Sequence, residues 1–148
     1  MRILVVNGPN LDLLGKREPG VYGSQGLSEI LDDVRSRARE LGVEVECVQS
    51  NEEGELVTRI GRGGDAFDGI VVNPAGYTHT SVALRDAISA CGLPCVEVHL
   101  SNIFGREDFR QVSRTAGACR GVVAGFGGRG YVLALDALVG VLHGEGKG

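Results

Sequence analysis

The chain lacks the positive field that a polyanion-binding protein needs. Its 15 Lys and Arg against 19 Asp and Glu leave a formal net charge of −4 and a pI near 5.4. No Lys/Arg stripe is interleaved with aromatics, so nucleic acid is not an expected partner. A long apolar run is also missing. The opening Met1-Arg-Ile-Leu-Val-Val6 gives way at once to Asn7-Gly-Pro9, too short for a signal peptide or a membrane span. A cytoplasmic protein with no membrane partner is therefore expected. Cys47, Cys91, Cys95 and Cys119 show neither CxxC spacing nor a nearby histidine pattern, which argues against structural zinc and a redox dithiol and leaves buried free thiols. Nor does any linker divide the composition: residues 1–143 are expected to form one domain and 144–148 a flexible Gly-rich tail.

Two nucleotide-binding signatures occur only as fragments. Gly125-Phe-Gly-Gly-Arg-Gly130 matches G-x-G-x-x-G, but a dinucleotide fold needs a further strand with an acidic residue roughly 20 positions later, so a close helix–sheet turn is expected there. Around Gly15-Lys16 a phosphate loop would need glycine where Asn10 stands and Ser or Thr where Arg17 stands. Nucleotide hydrolysis is discarded.

What the chain does contain is alternation. Five apolar, β-branched runs, at Arg2–Asn7, 43–49, Gly69–Asn73, 94–100 and 121–126, are separated by helical patterns, which predicts a parallel sheet covered on both faces. In so small an α/β chain this points to a flavodoxin-like arrangement with strand order 2-1-3-4-5. The 24 glycines are scattered without a period and mark tight turns. The first helix lines up Leu27, Ile30, Leu31, Val34, Ala38 and Leu41 before a stop at Gly42. The second, over 53–66, is expected to end early because Gly61, Gly63 and Gly64 together cost about 2–3 kcal/mol of propensity. The third, over 81–90, turns Val82, Leu84, Ala87 and Ile88 inward, with Arg85 and Asp86 on a polar side. A short fourth helix is predicted over 107–113. A fifth over 130–142 is apolar almost all round, which suggests burial against another subunit.

Ligands bind outside the carboxyl ends of open parallel sheets, and here those ends are polar. Asn7 and Asn10 follow the first strand, Gln49-Ser-Asn51 the second, Asn73 and His79 the third, and His99-Leu-Ser-Asn102 the fourth. His79 sits at the mouth of the third helix, where backbone N–H groups favour an anion, and His99 ends a buried strand. Either histidine alone reads as structural, but two on one rim read as a site. Glu97 shares a strand face with His99, so a His/His/Glu metal site is conceivable, although no H-x-H or H-x-x-x-H spacing supports it. Arg106 and Arg110, four apart, form either a solvated basic face or a carboxylate clamp.

The segment from Gly8 to Gly26 is too long for an ordinary strand-to-helix turn and reads as an active-site lid, movable over about residues 16–25. It carries Asn10, Arg17 and Tyr22. A phenol near pKa 10 would need about 4 kcal/mol of compensation to act as tyrosinate at pH 7, and Arg17 could supply part of it. From the residues alone, a loop anchor and a surface charge are the better reading of the pair.

Four blocks then carry a resemblance: Asn7-Gly-Pro-Asn-Leu-Asp-Leu-Leu-Gly-Lys-Arg-Glu-Pro-Gly-Val-Tyr-Gly23; Asn73-Pro-Ala-Gly-Tyr-Thr-His-Thr-Ser-Val-Ala-Leu-Arg-Asp-Ala87; Glu97-Val-His-Leu-Ser-Asn102; and Arg106-Glu-Asp-Phe-Arg110. In this order, and closing on Gly130-Tyr-Val-Leu-Ala-Leu135, they span nearly the whole chain and resemble the type II 3-dehydroquinate dehydratases. The resemblance implies a flavodoxin-like hydro-lyase that converts 3-dehydroquinate to 3-dehydroshikimate by anti elimination through an enolate, in the shikimate pathway to aromatic amino acids or in quinate breakdown. It implies no metal, Schiff-base lysine or other cofactor. Tyr22 would be the base, as tyrosinate, taking a C2 proton, and Arg17 would assist its ionisation and stabilise the transition state. His99 would be the acid for the leaving C1 hydroxyl, and Asn10 would hold the water that supports the enolate oxygen. Asn73, His79, the Leu100 and Ser101 N–H groups and Arg110 would bind substrate hydroxyls and carboxylate. Asp86 would reach the site from a neighbouring subunit, within a trimer that assembles into a dodecamer.

The chain departs from the family pattern in three places. Ala75-Gly76 stands where Gly-Ala is usual, moving the expected backbone freedom by one residue. Phe104-Gly105 replaces His-Ala or His-Gln, and Arg114-Thr-Ala-Gly-Ala-Cys-Arg120 replaces a Ser-Tyr-Ile-Ser-Pro stretch. All three are expected to lie beside the catalytic blocks and outside them. The competing reading is a non-catalytic, flavodoxin-like module that binds a small acid on the same rim and gives Tyr22 no chemical task.

Overall fold

Strands β1 (Arg2–Asn7), β2 (Glu44–Gln49), β3 (Gly69–Asn73), β4 (Cys95–His99) and β5 (Gly121–Ala124) pair in parallel in the order β2-β1-β3-β4-β5, as the alternation predicts. The computed structural model describes residues 1–16, 18–22 and 24–144. Arg17, Gly23, residues 145–148 and the side chains of Pro19 and Tyr22 lie outside the described residues. The lid and tail expectations therefore fall partly outside them.

The strand period of two sorts the core. Ile3, Val5, Val71, Val96 and Val98 face α2 (Leu27–Leu41) and α5 (Arg129–Leu142), whose Ile30, Val34, Leu135 and Leu138 complete one layer. Leu4, Val6, Ile70 and Val72 face α3 (Glu53–Gly61) and α4 (Val82–Cys91), which add Leu56, Ile60, Leu84 and Ile88. Burial on both faces is why β1, β3 and β4 read as continuous apolar runs. Only the β2 edge is charged: Glu44 pairs with Arg2 at 3.4 Å and Glu46 with Arg59 at 2.7 Å, a pattern that protects an exposed edge.

Helix ends follow local chemistry. α2 stops at Gly42, whose φ of +70° suits glycine and lets its N–H reach the Ala38 and Arg39 carbonyls. α4 starts at Ser81, whose Oγ accepts the Leu84 N–H at 2.9 Å. α3 ends at Gly61, as its glycines predict, and Gly63–Asp65 form a separate 3-10 turn.

Three expectations need correction. No α-helix forms over 107–113; the stretch holds a single 3-10 turn, Asp108–Arg110, which follows another at Ile103–Gly105. Phe104, Phe109 and Val112 are all exposed there, so no apolar face pulls the stretch into a longer helix. The loop read as a lid holds a one-turn helix, α1 (Pro19–Tyr22), begun by a proline at a position that tolerates one. The apolar surround of α5 is largely met inside the chain: Gly130, Tyr131, Val132, Ala134, Leu135, Leu138 and Val139 are all buried. Its composition therefore does not by itself call for a second subunit. The four cysteines are free thiols, Cys95 buried and the others half-buried. Burial pushes the Cys119 thiol up to about 12, assisted by the charge of Glu97. Among the described residues no helix is long and apolar enough to cross a membrane.

Candidate active site

Strand register brings the polar rim together. Asn7 at the end of β1 lies beside Gln49 of β2 and Asn73 of β3. Under them sits Tyr131 of α5, fully buried, whose hydroxyl donates to Asn7 Oδ1 at 2.6 Å and accepts from Asn73 Nδ2 at 3.0 Å. Asn7 Nδ2 donates in turn to the Val48 carbonyl at 3.0 Å. Burial pushes the Tyr131 phenol far above its ordinary value, against a smaller opposing effect of the Asn73 hydrogen bond, so it is a neutral strut and no base. Tyr131→Phe should orphan two buried amide groups at about 1–3 kcal/mol each. Urea unfolding measures this, and a loss below about 1 kcal/mol would mean that water substitutes for the hydroxyl.

The β1 turn packs closely. A Cβ on Gly8 would lie 2.5 Å from the Pro74 carbonyl oxygen, and the Gly8 N–H donates to the Asn73 carbonyl at 2.8 Å. Asn10 follows in the left-handed region, φ +67°, a conformation asparagine tolerates. Its N–H donates to Asn51 Oδ1 at 3.0 Å, which also accepts from Gln49 Nε2 at 3.1 Å. Across the cavity Asn73 Oδ1 accepts the Ala75 N–H at 3.0 Å. Ala75 has φ +53°, so the left-handed position stays at residue 75 although glycine has moved to 76, and the side chain at 75 bears the strain.

His79 Nδ1 lies 2.9 Å from the Val112 carbonyl, which must accept, leaving Nε2 as the acceptor of a neutral ring. Burial lowers the His79 pKa, opposed by that carbonyl and reinforced by the charges of Arg110 and His99. His99 is 5% exposed, and its Nε2 is 2.8 Å from Oε2 of the fully buried Glu97. Ser113 Oγ donates to the same oxygen at 2.9 Å, and Thr115 Oγ1 donates to Oε1. Burial alone would raise the Glu97 pKa, but bonds from His99 and Thr115, the His99 charge and the Ser113 bond together hold it below the ordinary carboxylate value. Glu97 is thus the partner of His99, with both oxygens engaged. Among the described residues no three His, Cys, Asp or Glu groups are placed to hold a metal.

Asn10, Asn73, His79 and His99 line a cavity of about 170 Å³ that also takes in Leu100, Ser101, Arg106, Arg110 and the apolar Leu11, Leu14 and Ile103. It adjoins a wider cleft of about 780 Å³ bordered by Glu18 and Val21 of the α1 segment. Arg106 and Arg110 reach the cavity from successive turns, not from one helix face. Arg110 Nε is 2.9 Å from Glu107 Oε2 and its guanidinium lies 4.9 Å over the Phe109 ring, while Arg106 Nη1 donates to Ser101 Oγ at 3.4 Å.

Of the residues singled out in the sequence, Asn10, Asn73, His79, His99, Leu100, Ser101 and Arg110 converge on this cavity. Asp86 does not; it is exposed on α4. Arg17 and the Tyr22 side chain lie outside the described residues. Sequence reasoning took Glu97 only as a possible metal ligand, placed Asn51 on the rim without a role, and overlooked Tyr131, Ser113 and Thr115. The same-face spacing of residues 97 and 99 was a usable signal for the first. The other contacts come from long-range packing and from irregular chain, which leave no periodic trace.

The family model described as Dehydroquinase class II matches residues 1–139. The 3-dehydroquinate dehydratase of Pelotomaculum thermopropionicum is 56% identical over 137 residues, covering 93% of this chain and 95% of that protein. The namesake from Geotalea daltonii is 54% identical over 138 residues, covering 93% and 96%. The crystal structure of type II dehydroquinase from Butyrivibrio crossotus matches with a TM-score of 0.91 at 42% identity, over 94% of this chain and 97% of that one. Sequence, fold and the convergence of the rim residues agree: the chain belongs to the class II dehydroquinases.

Proposed function

We propose that this chain dehydrates 3-dehydroquinate to 3-dehydroshikimate by anti elimination through an enolate. The observation that carries the reading is the buried Glu97–His99 pair opening on a cavity walled by Asn10, Asn73, His79 and Arg110. A proton alpha to a ketone is weakly acidic, so the reaction needs a strong base, support for the enolate oxygen and an acid for the leaving hydroxyl. Tyr22 as tyrosinate takes the C2 proton, with Arg17 favouring the phenolate; both assignments rest on the motif match. The C2–H electrons pass to the carbonyl oxygen, where water held by Asn10 supports the charge. They return to form the C1–C2 double bond as the C1–O bond breaks, and His99 protonates the departing oxygen to give water. With Nε2 held by Glu97, Nδ1 is the nitrogen left to deliver that proton, and the carboxylate stabilises the charged ring before transfer.

The neutral His79 accepts a substrate hydroxyl at Nε2. Asn73 and the Leu100 and Ser101 N–H groups hold others, and Arg110 presents a guanidinium suited to bidentate capture of a carboxylate. The exposed position of Asp86 on α4 suits contact with a neighbouring subunit's cavity, within a trimer of a dodecamer in the cytoplasm; light scattering on the purified protein tests the assembly. In the cell the reaction would serve the shikimate pathway or quinate breakdown. Purified protein mixed with 3-dehydroquinate at neutral pH is expected to develop the absorbance of a conjugated enone, and to keep doing so after extensive chelation. Binding without turnover would favour the non-catalytic module, and loss of activity on chelation would restore the metal reading.

A further inference from the structure

We infer that Thr115, seconded by Ser113, is a positioning residue for proton delivery: its hydroxyl fixes the orientation of the Glu97 carboxylate and, through it, the ring of His99. The inference rests on the dehydratase reading and extends it to a stretch that sequence comparison places outside the catalytic blocks.

Glu97 and Thr115 are fully buried, and the Thr115 hydroxyl donates to Glu97 Oε1, the oxygen that His99 does not use. Ser113 supplies the second hydroxyl, to Oε2 at 2.9 Å. Its direction is settled by its surroundings. Ser113 Oγ accepts the Ala116 N–H at 2.9 Å and the Thr115 N–H at 3.3 Å. With its lone pairs spent on two backbone donors, its own hydrogen is left for the carboxylate. Each carboxylate oxygen therefore receives a hydroxyl, and the group is held in one plane with Oε2 turned to His99 Nε2 at 2.8 Å.

Burying a hydroxyl is costly unless it is used, and valine would fill nearly the same volume as Thr115. Without the Thr115 donor, Oε1 would be left bare in a buried site. The carboxylate would then turn towards the remaining donors or take up a proton. Either change loosens the grip on His99 Nε2, and a neutral Glu97 would no longer stabilise a charged imidazole. The effect falls on the chemical step, because neither Ser113 nor Thr115 lines the cavity.

Two near-isosteric variants separate this role from packing. Thr115→Val keeps the shape and removes the hydroxyl; Thr115→Ser keeps the hydroxyl and removes the methyl. The valine protein is expected to lose about 10- to 100-fold in kcat, the worth of one hydrogen bond to a charged group, with KM for 3-dehydroquinate within about twofold. The serine protein is expected to retain most of kcat. The reverse ranking, or equal kcat in both variants, would overturn the inference and make Thr115 a packing residue. Imidazole ¹⁵N shifts of His99 give a readout that needs no turnover: valine should change them and serine should not. If wild type fails to turn over, the dehydratase reading falls while the shifts still test the clamp. If the valine protein does not fold, Ser113→Ala supplies the comparison, with a lowered kcat and altered His99 shifts expected and unchanged values counting against the proposal.

Discussion

Tyr22→Phe should abolish turnover of 3-dehydroquinate while leaving the binding of a substrate analogue largely intact. Removing a general base costs on the order of 10²–10⁴-fold, and phenylalanine preserves the ring and removes only the ionisable oxygen. The other tyrosines cannot stand in. Tyr131 is buried with its phenol pushed to a far higher pKa and its oxygen shared between two asparagines. Tyr77 donates its hydroxyl to the Asn51 carbonyl at 2.7 Å, and its side chain is absent from the cavity wall. Of the three tyrosines in the chain, only Tyr22 belongs to the segment that borders the cleft through Val21. Steady-state kinetics paired with calorimetry on an analogue decides the matter. Equal loss of binding and turnover would make Tyr22 a docking group.

The second large effect is expected from Glu97. Glu97→Ala takes the acceptor from His99, Ser113 and Thr115 at once, and breaking a buried pair of this kind costs about 3–5 kcal/mol. Both kcat and the urea midpoint should fall. The pH dependence has a definite sign. The folded pKa of Glu97 lies below its ordinary value, so its contribution to stability is complete above the unfolded pKa of about 4.3 and disappears as pH drops through the folded one. Glu97→Gln, which cannot titrate, should therefore flatten the fall in wild-type stability below about pH 4. Urea midpoints taken from neutral to acid pH measure it, and parallel curves for wild type and variant would remove Glu97 from acid unfolding.

The sheet was legible because its signals are local and repeated. β-Branched runs separated by capped amphipathic helices leave few topologies, and the polar strand ends announced where the rim would gather. The region from Ile103 to Ala118 was not legible, since its short 3-10 turns follow no period and only the first is capped by its preceding side chain, Asn102 Oδ1 on the Phe104 N–H. Glu97 was visible by spacing with His99, yet its chemistry depended on two hydroxyls delivered by that same irregular stretch. Tyr131 shows the opposite difficulty. Within an apolar helix an aromatic reads as core, and only the packing of α5 on the sheet turns its hydroxyl towards residues 124 and 58 positions away.

That last separation bears on the order in which the molecule can be built. Chains emerge N-terminus first and domains fold as units, so the two asparagines at the ends of β1 and β3 are made long before the hydroxyl that satisfies them. Until residue 131 has been synthesised and α5 docks, a nascent chain has to hydrate those amides or hold that corner of the sheet open. The polar corner beneath the strand ends is thus among the last parts of the protein to close, although one of its three residues, Asn7, is among the first to be made.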